Sequence, residues 1–217
     1  MKQAKLIKAV LFDKDGTIMD SERINCEAYV AAAKKFGQVF TAKMFQSFIG
    51  VPTLDCYQML ATRYGDQFPL QDFIIEVQQL IEVQKIAGFP LKRGFADYFA
   101  YLKTKAIPMA VVTSASSQSA VESLRPLNLL DDFSFIVAVD DVKSPKPSPQ
   151  CYQFACDRLN IQPQSALVFE DSNIGIEASL SAGCITIAIP DTQAIEPRLA
   201  KRCFRVIESF EDAYCFV

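Results

Sequence analysis

Four short polar clusters, each placed directly after an apolar run or in the loop that follows one, carry the residue types able to do chemistry in this chain. The first is Asp13-Lys14-Asp15-Gly16-Thr17, which ends an apolar run over residues 7–12 broken only by Lys8. Two acids one residue apart on an extended chain point the same way. Gly16 lets the backbone turn and Thr17 adds a hydroxyl. The second is Thr113-Ser114-Ala115-Ser116, whose hydroxyls and N–H groups lead into a helix start, a cradle suited to phosphate. The third is Lys143-Ser144-Pro145-Lys146-Pro147, where two prolines restrict the loop that carries Lys146. The fourth is Glu170-Asp171-Ser172-Asn173, another acidic strand end, followed by Gly175. Taken singly each has a plain structural reading, as an Asp-Gly turn, a Ser/Thr helix cap or a solvated lysine. A calcium loop of the EF-hand type is excluded, because its sixth and twelfth positions fall on Ile18 and Ile24.

The elements that position these clusters follow from periodicity. Short apolar runs at 108–112, 135–139, 166–169 and 185–189 read as strands, separated by helical patterns at 95–104, 117–124, 149–159 and 174–182. Single helices between strands imply right-handed crossovers and a mainly parallel, Rossmann-like α/β sheet, in which ligands bind at the strands' C-terminal ends. Directly after the first strand the alternation stops. Helical patterns at 21–36, 41–49, 53–64 and 70–86 follow instead. The expected organisation is therefore an α/β core of residues 1–17 and 89–217 with a helical insertion, 18–88, and hinges near 17–20 and 88–93. Residues 191–217 are expected to add peripheral elements.

Composition narrows the class. With 217 residues, half of them hydrophobic, the chain buries a full core. A net charge of −3 with scattered basic residues gives no footprint for nucleic acid or an anionic membrane. Seven cysteines form no Cys-x-x-Cys pair and are odd in number, so a reduced, cytoplasmic setting is expected. No apolar run has the length of a signal core or a membrane span. The chain has no histidine, so acid–base chemistry falls to carboxylates and lysine.

In this order and at successive strand ends, the clusters closely resemble the four motifs of the haloacid dehalogenase-like hydrolases. The helical insertion falls where the helical-cap branch, with its phosphoglycolate phosphatase-like and β-phosphoglucomutase-like enzymes, carries its cap. Lys14 between the acids and Arg93 before Gly94 depart from the commoner apolar residue and proline. The resemblance implies a Mg2+-dependent phosphatase acting on a small phosphate monoester, a sugar phosphate or related metabolite, through an aspartyl-phosphate. Asp13 is then the nucleophile and Asp15 the general acid and base. Lys146, with Ser114 or Thr113, holds the phosphate, the register being open by one. Mg2+ is bound by Asp13, the Asp15 carbonyl and Asp171, with Glu170 nearby or acting through water. Arg63, Lys85, Lys92 and Arg93 are candidates for substrate choice, and a monomer is expected.

Two rivals stand beside this reading. A β-phosphoglucomutase-like mutase is disfavoured because the positions of its cap His and Arg are taken by Asn25 and Thr53. A receiver-type phospho-acceptor domain normally lacks both the second acid and the helical insertion.

Overall fold

A computed structural model describes residues 7–49, 51 and 53–217, with Thr53 by its backbone alone. The chain divides into two compact units, residues 1–20 with 88–217, and residues 21–87. In the first, six parallel strands form one sheet: β1 (Ala9–Phe12), β2 (Met109–Val112), β3 (Ile136–Val137), β4 (Ala166–Glu170), β5 (Ile185–Ala188) and β6 (Arg205–Val206), in the order β3-β2-β1-β4-β5-β6. β1 sits between β2 and β4, pairing Leu11 with Ala110 on one side and with Val168 on the other. A central strand covered on both faces must be apolar throughout, and all four residues of Ala-Val-Leu-Phe are buried.

Leu11 faces a core that includes Val112, Val137, Tyr152, Ala155 and Val168. Phe12 joins an aromatic layer, stacked on Phe169 at 5.5 Å and edge-on to Phe95 at 5.4 Å, closed by Phe210 from the last part of the chain. The helices of this unit are α5 (Phe95–Thr104), α6 (Ser117–Leu124), α7 (Gln150–Arg158), α8 (Asn173–Ala182) and the short α9 (Pro197–Ala200). The peripheral segment thus contributes a sixth strand, β6, which pairs with β5 through Ile187–Arg205 and Ala188–Val206.

The second unit is all helical: α1 (Ser21–Lys35), α2 (Ala42–Gln46), α3 (Thr53–Tyr64) and α4 (Leu70–Ala87). Alanines at 28, 32 and 33 leave room on α1 for Phe73, Ile74 and Val77 of α4, with Phe40, Phe45, Leu60 and Phe68 completing the core. Ile18, Met19 and Asp20 belong with the sheet unit, where Asp20 N–H donates to Pro90 O (2.8 Å) and Lys92 N–H donates to Ile18 O (2.9 Å).

Candidate active site

β1 ends at Phe12, and Asp13 N–H still donates to Phe169 O of β4 at 3.0 Å. Parallel register thus brings Asp13 beside Glu170 and Asp171 at the end of β4, and Thr113 beyond β2. Lys146 arrives from the loop between β3 and α7, buried, and its Nζ donates to Asp13 Oδ1 (2.6 Å), Glu170 Oε1 (2.6 Å) and Val112 O (2.9 Å). All three Nζ hydrogens of the ammonium are therefore engaged at the centre of the site.

Glu170 is fully buried. Its Oε1 also accepts from the Tyr152 hydroxyl (2.8 Å), and its Oε2 accepts from the Ser172 N–H (3.2 Å) and hydroxyl (3.0 Å). Four donors on two oxygens occupy the carboxylate's accepting directions. Ser172 in turn caps α8, accepting from Gly175 N–H at 3.1 Å. A side chain at 175 would run into the Glu170 carboxylate, so glycine is what lets the helix start lie against it.

The turn after Asp13 is tight: Ile18 N–H and Met19 N–H both donate to Lys14 O, and Gly16 takes φ +78°. Asp15 pairs with Met19 in an isolated bridge at this turn. Its carboxylate is partly exposed and lies 2.6 Å from the Nζ of buried Lys14. Thr17 donates its hydroxyl to Asp171 Oδ1 at 3.1 Å. In the second cluster, Thr113 is buried and its hydroxyl accepts from Ala115 N–H (3.0 Å), whereas Ser114 is exposed.

The electrostatics are unbalanced. Asp13, Glu170 and Asp171 each place an oxygen within 4.8 Å of the others, around one lysine. Burial pushes Asp13 up from 3.8 to about 7, against the pull of Lys146, and Glu170 adds to the rise. Asp171 is raised well above the usual carboxylate range by burial first, then by Asp13, Glu170 and Asp191. Burial alone would lower Lys146, but Asp13 and Glu170 more than offset it and hold the ammonium charged. An all-oxygen cluster with surplus negative charge fits a hard divalent cation such as Mg2+.

Of the candidates for substrate choice, Lys92 pairs with Asp191 (2.5 Å) and Arg93 with Glu211 (3.3 Å) and Ser209 (3.2 Å), all within the sheet unit. Arg63 is exposed on α3, and Lys85 lies 3.9 Å from Glu82 on α4. Asn25 is half-buried on α1, and the side chain of Thr53 lies outside the described residues. Sequence reasoning missed Tyr152, Asp191 and the Lys14–Asp15 pair. The lysine's unusual place between two acids was the available signal for the last.

The sheet thus carries its acids at the C-terminal ends of its two central strands, the edge at which open α/β sheets bind ligands. A model of the haloacid dehalogenase-like hydrolases matches residues 10–189, and the chain belongs to that family. Within it the chain is a phosphoric monoester hydrolase. A phosphorylated carbohydrates phosphatase of Thermotoga maritima is 35% identical, over 82% of this chain and 82% of its own. A fructose-1-phosphate phosphatase of Escherichia coli is 29% identical, over 80% and 92%. A solved Thermotoga maritima structure, provisionally assigned as a β-phosphoglucomutase, superposes with TM-score 0.79 at 30% identity, covering 93% of this chain and 94% of that one. Among the described residues no helix is long and apolar enough to cross a membrane.

Proposed function

We propose that the chain is a Mg2+-dependent phosphatase of small phosphate monoesters, sugar phosphates foremost, working through an aspartyl-phosphate on Asp13. The observation that carries this is Lys146, buried and bonded at once to Asp13 and Glu170, with Asp171 alongside. The substrate class is supported by the phosphorylated carbohydrates phosphatase and fructose-1-phosphate phosphatase among its relatives.

With Asp13 Oδ1 held by Lys146, Oδ2 is the oxygen left to attack phosphorus. As that bond forms, the ester P–O bond breaks and its electron pair leaves on the alkoxide, which Asp15 protonates. Asp15 then takes a proton from water, the water oxygen attacks phosphorus, and phosphate leaves with Asp13 restored as a carboxylate. Lys146 and the exposed Ser114 hydroxyl steady the phosphate oxygens, while the buried Thr113 hydroxyl, which accepts from Ala115 N–H, keeps its own hydrogen to donate. Asp13, Asp171 and the Asp15 carbonyl would hold Mg2+, while Glu170, its oxygens engaged by four donors, sets the position of Lys146. When bound, the ion supplies the positive charge that offsets repulsion between Asp13 and the phosphate dianion. Lys14 fixes the Asp15 carboxylate. Substrate choice falls to the helical unit as a cap, with Arg63 and Lys85 as candidates. A monomer in a cytoplasmic setting fits this use.

The provisional mutase assignment of one structural relative favours a second reading, transfer of the phosphoryl group between sugar hydroxyls. Asn25 does not titrate as a cap histidine does, so hydrolysis is the better fit. A panel of sugar and metabolite phosphates, assayed for phosphate release with Mg2+ and with EDTA, tests the proposal. Release that needs Mg2+ supports it, and release unchanged by EDTA removes the metal from it. β-Glucose 1-phosphate isomerised with little phosphate freed would establish the mutase instead.

A further inference from the structure

Asp191 stands just beyond β5, at the sheet edge that carries Asp13 and Asp171, and the chemistry above does not use it. Its side chain is nine-tenths buried, with Lys92 Nζ 2.5 Å from Oδ1. Oδ2 is buried and has no hydrogen-bond partner among the described residues. A buried carboxylate oxygen with no donor is destabilising and calls for an explanation. The direction of this oxygen supplies one. A Cβ built on Gly16 would collide with Asp171 Oδ2 and stand 3.2 Å from Asp191 Oδ2, so two carboxylate oxygens converge over one glycine. Carboxylates brought together in this way need a cation or a shared donor between them. Asp191 stands outside the group of Asp13, Glu170 and Asp171, whose oxygens lie within 4.8 Å of one another, which suits it to act one water further out.

We propose that Asp191 is a positioning residue of the metal site: its Oδ2 accepts a hydrogen bond from a water ligand of the divalent cation that Asp13 and Asp171 bind. Lys92 fixes the carboxylate for this task. Its own backbone is tied to Ile18 and its Nζ lies 3.9 Å from Asp20, so the anchor rests on the paired segments at either end of the helical insertion. Partners that orient metal-bound groups are commonly worth ten- to a hundredfold in affinity. The inference rests on the assignment of Asp13 and Asp171 as metal ligands.

The test is titration calorimetry of MgCl2 into the substrate-free protein, for the wild type, Asp171→Ala, Asp191→Ala and Asp191→Asn, each checked for native circular dichroism. Asp171→Ala is expected to lose binding. Asp191→Ala should weaken it about tenfold. Asp191→Asn, which keeps an accepting oxygen without the charge, should lose less, and it decides the matter alone if the alanine variant does not fold. Wild-type affinity in the Asp191 variants, with binding lost in Asp171→Ala, would overturn the role of Asp191 only. Wild-type affinity in Asp171→Ala would overturn the metal assignment and this inference with it.

Discussion

Asp13, the nucleophile of the proposed mechanism, is a buried carboxylate whose charged form is disfavoured by burial and by Glu170. Because its folded value is raised from 3.8 to about 7, the folded protein binds a proton there more tightly than the unfolded chain. That contribution to stability is fully present below the ordinary carboxylate range and is lost as pH rises towards 7 and through it. Asp171, raised in the same direction, adds to the effect. In EDTA the melting temperature is therefore expected to fall between pH 5 and pH 8. Mg2+ should restore it at pH 8, and Asp13→Asn should flatten the fall. A melting temperature that does not change with pH would contradict the charge balance described for the site. Lys146→Ala should lower turnover by about 10²–10³-fold, as removal of a preorganised charge from the transferring group does; wild-type kinetics would return Lys146 to a structural role. Lys14→Met should lower kcat by about tenfold with KM little changed, because Asp15 then loses a fixing partner while the phosphate contacts remain. A change confined to KM would place Lys14 with binding instead. Asp13, Lys146, Glu170 and Asp171 were legible in the sequence because each follows a short apolar run or sits between prolines. Tyr152 and Asp191 were not. Tyr152 sits on α7 in an amphipathic pattern that any packed helix would show, and Asp191 follows a strand with no motif around it.

Strand ends collect the site because parallel pairing fixes which residue leaves the sheet beside which. Phe12 is in register with Val111 and with Phe169, so the next residues, Asp13 and Glu170, emerge together. The core strands were readable from their apolar runs, although β3 is only two residues long, shorter than its run, since pairing with β2 covers just Ile136 and Val137. β6 was unreadable: Arg205 and Val206 are exposed and too few to set a period, and the strand exists because β5 offers it an edge. The start of α8 is the most demanding junction, where Ser172 bonds both Glu170 and Gly175. Gly175→Ala places a methyl group against the Glu170 carboxylate. It should displace Lys146 and reduce kcat strongly while lowering the melting temperature by a few degrees. Full activity in this variant would show that Glu170 does not govern the position of Lys146.

Of the two compact units, the sheet unit holds every acid and lysine of the proposed catalytic steps and the helical unit is a separately cored insertion. That division followed from one break in an α/β alternation, which is a strong signal in the sequence. The identity of the substrate was not legible, because it depends on how a few side chains meet a ligand and no spacing rule encodes that. The central claim is that phosphoryl transfer passes through Asp13. It is tested most directly by acid-quenching the enzyme during steady turnover of a hydrolysed sugar phosphate, reducing the acyl phosphate with borodeuteride, which expels phosphate and leaves a deuterium-labelled homoserine, and locating that residue by mass spectrometry. The account predicts the label on Asp13, and none in Asp13→Asn, which should be folded and inactive. Steady turnover with Asp13 unmodified, or turnover that survives in Asp13→Asn, would contradict it.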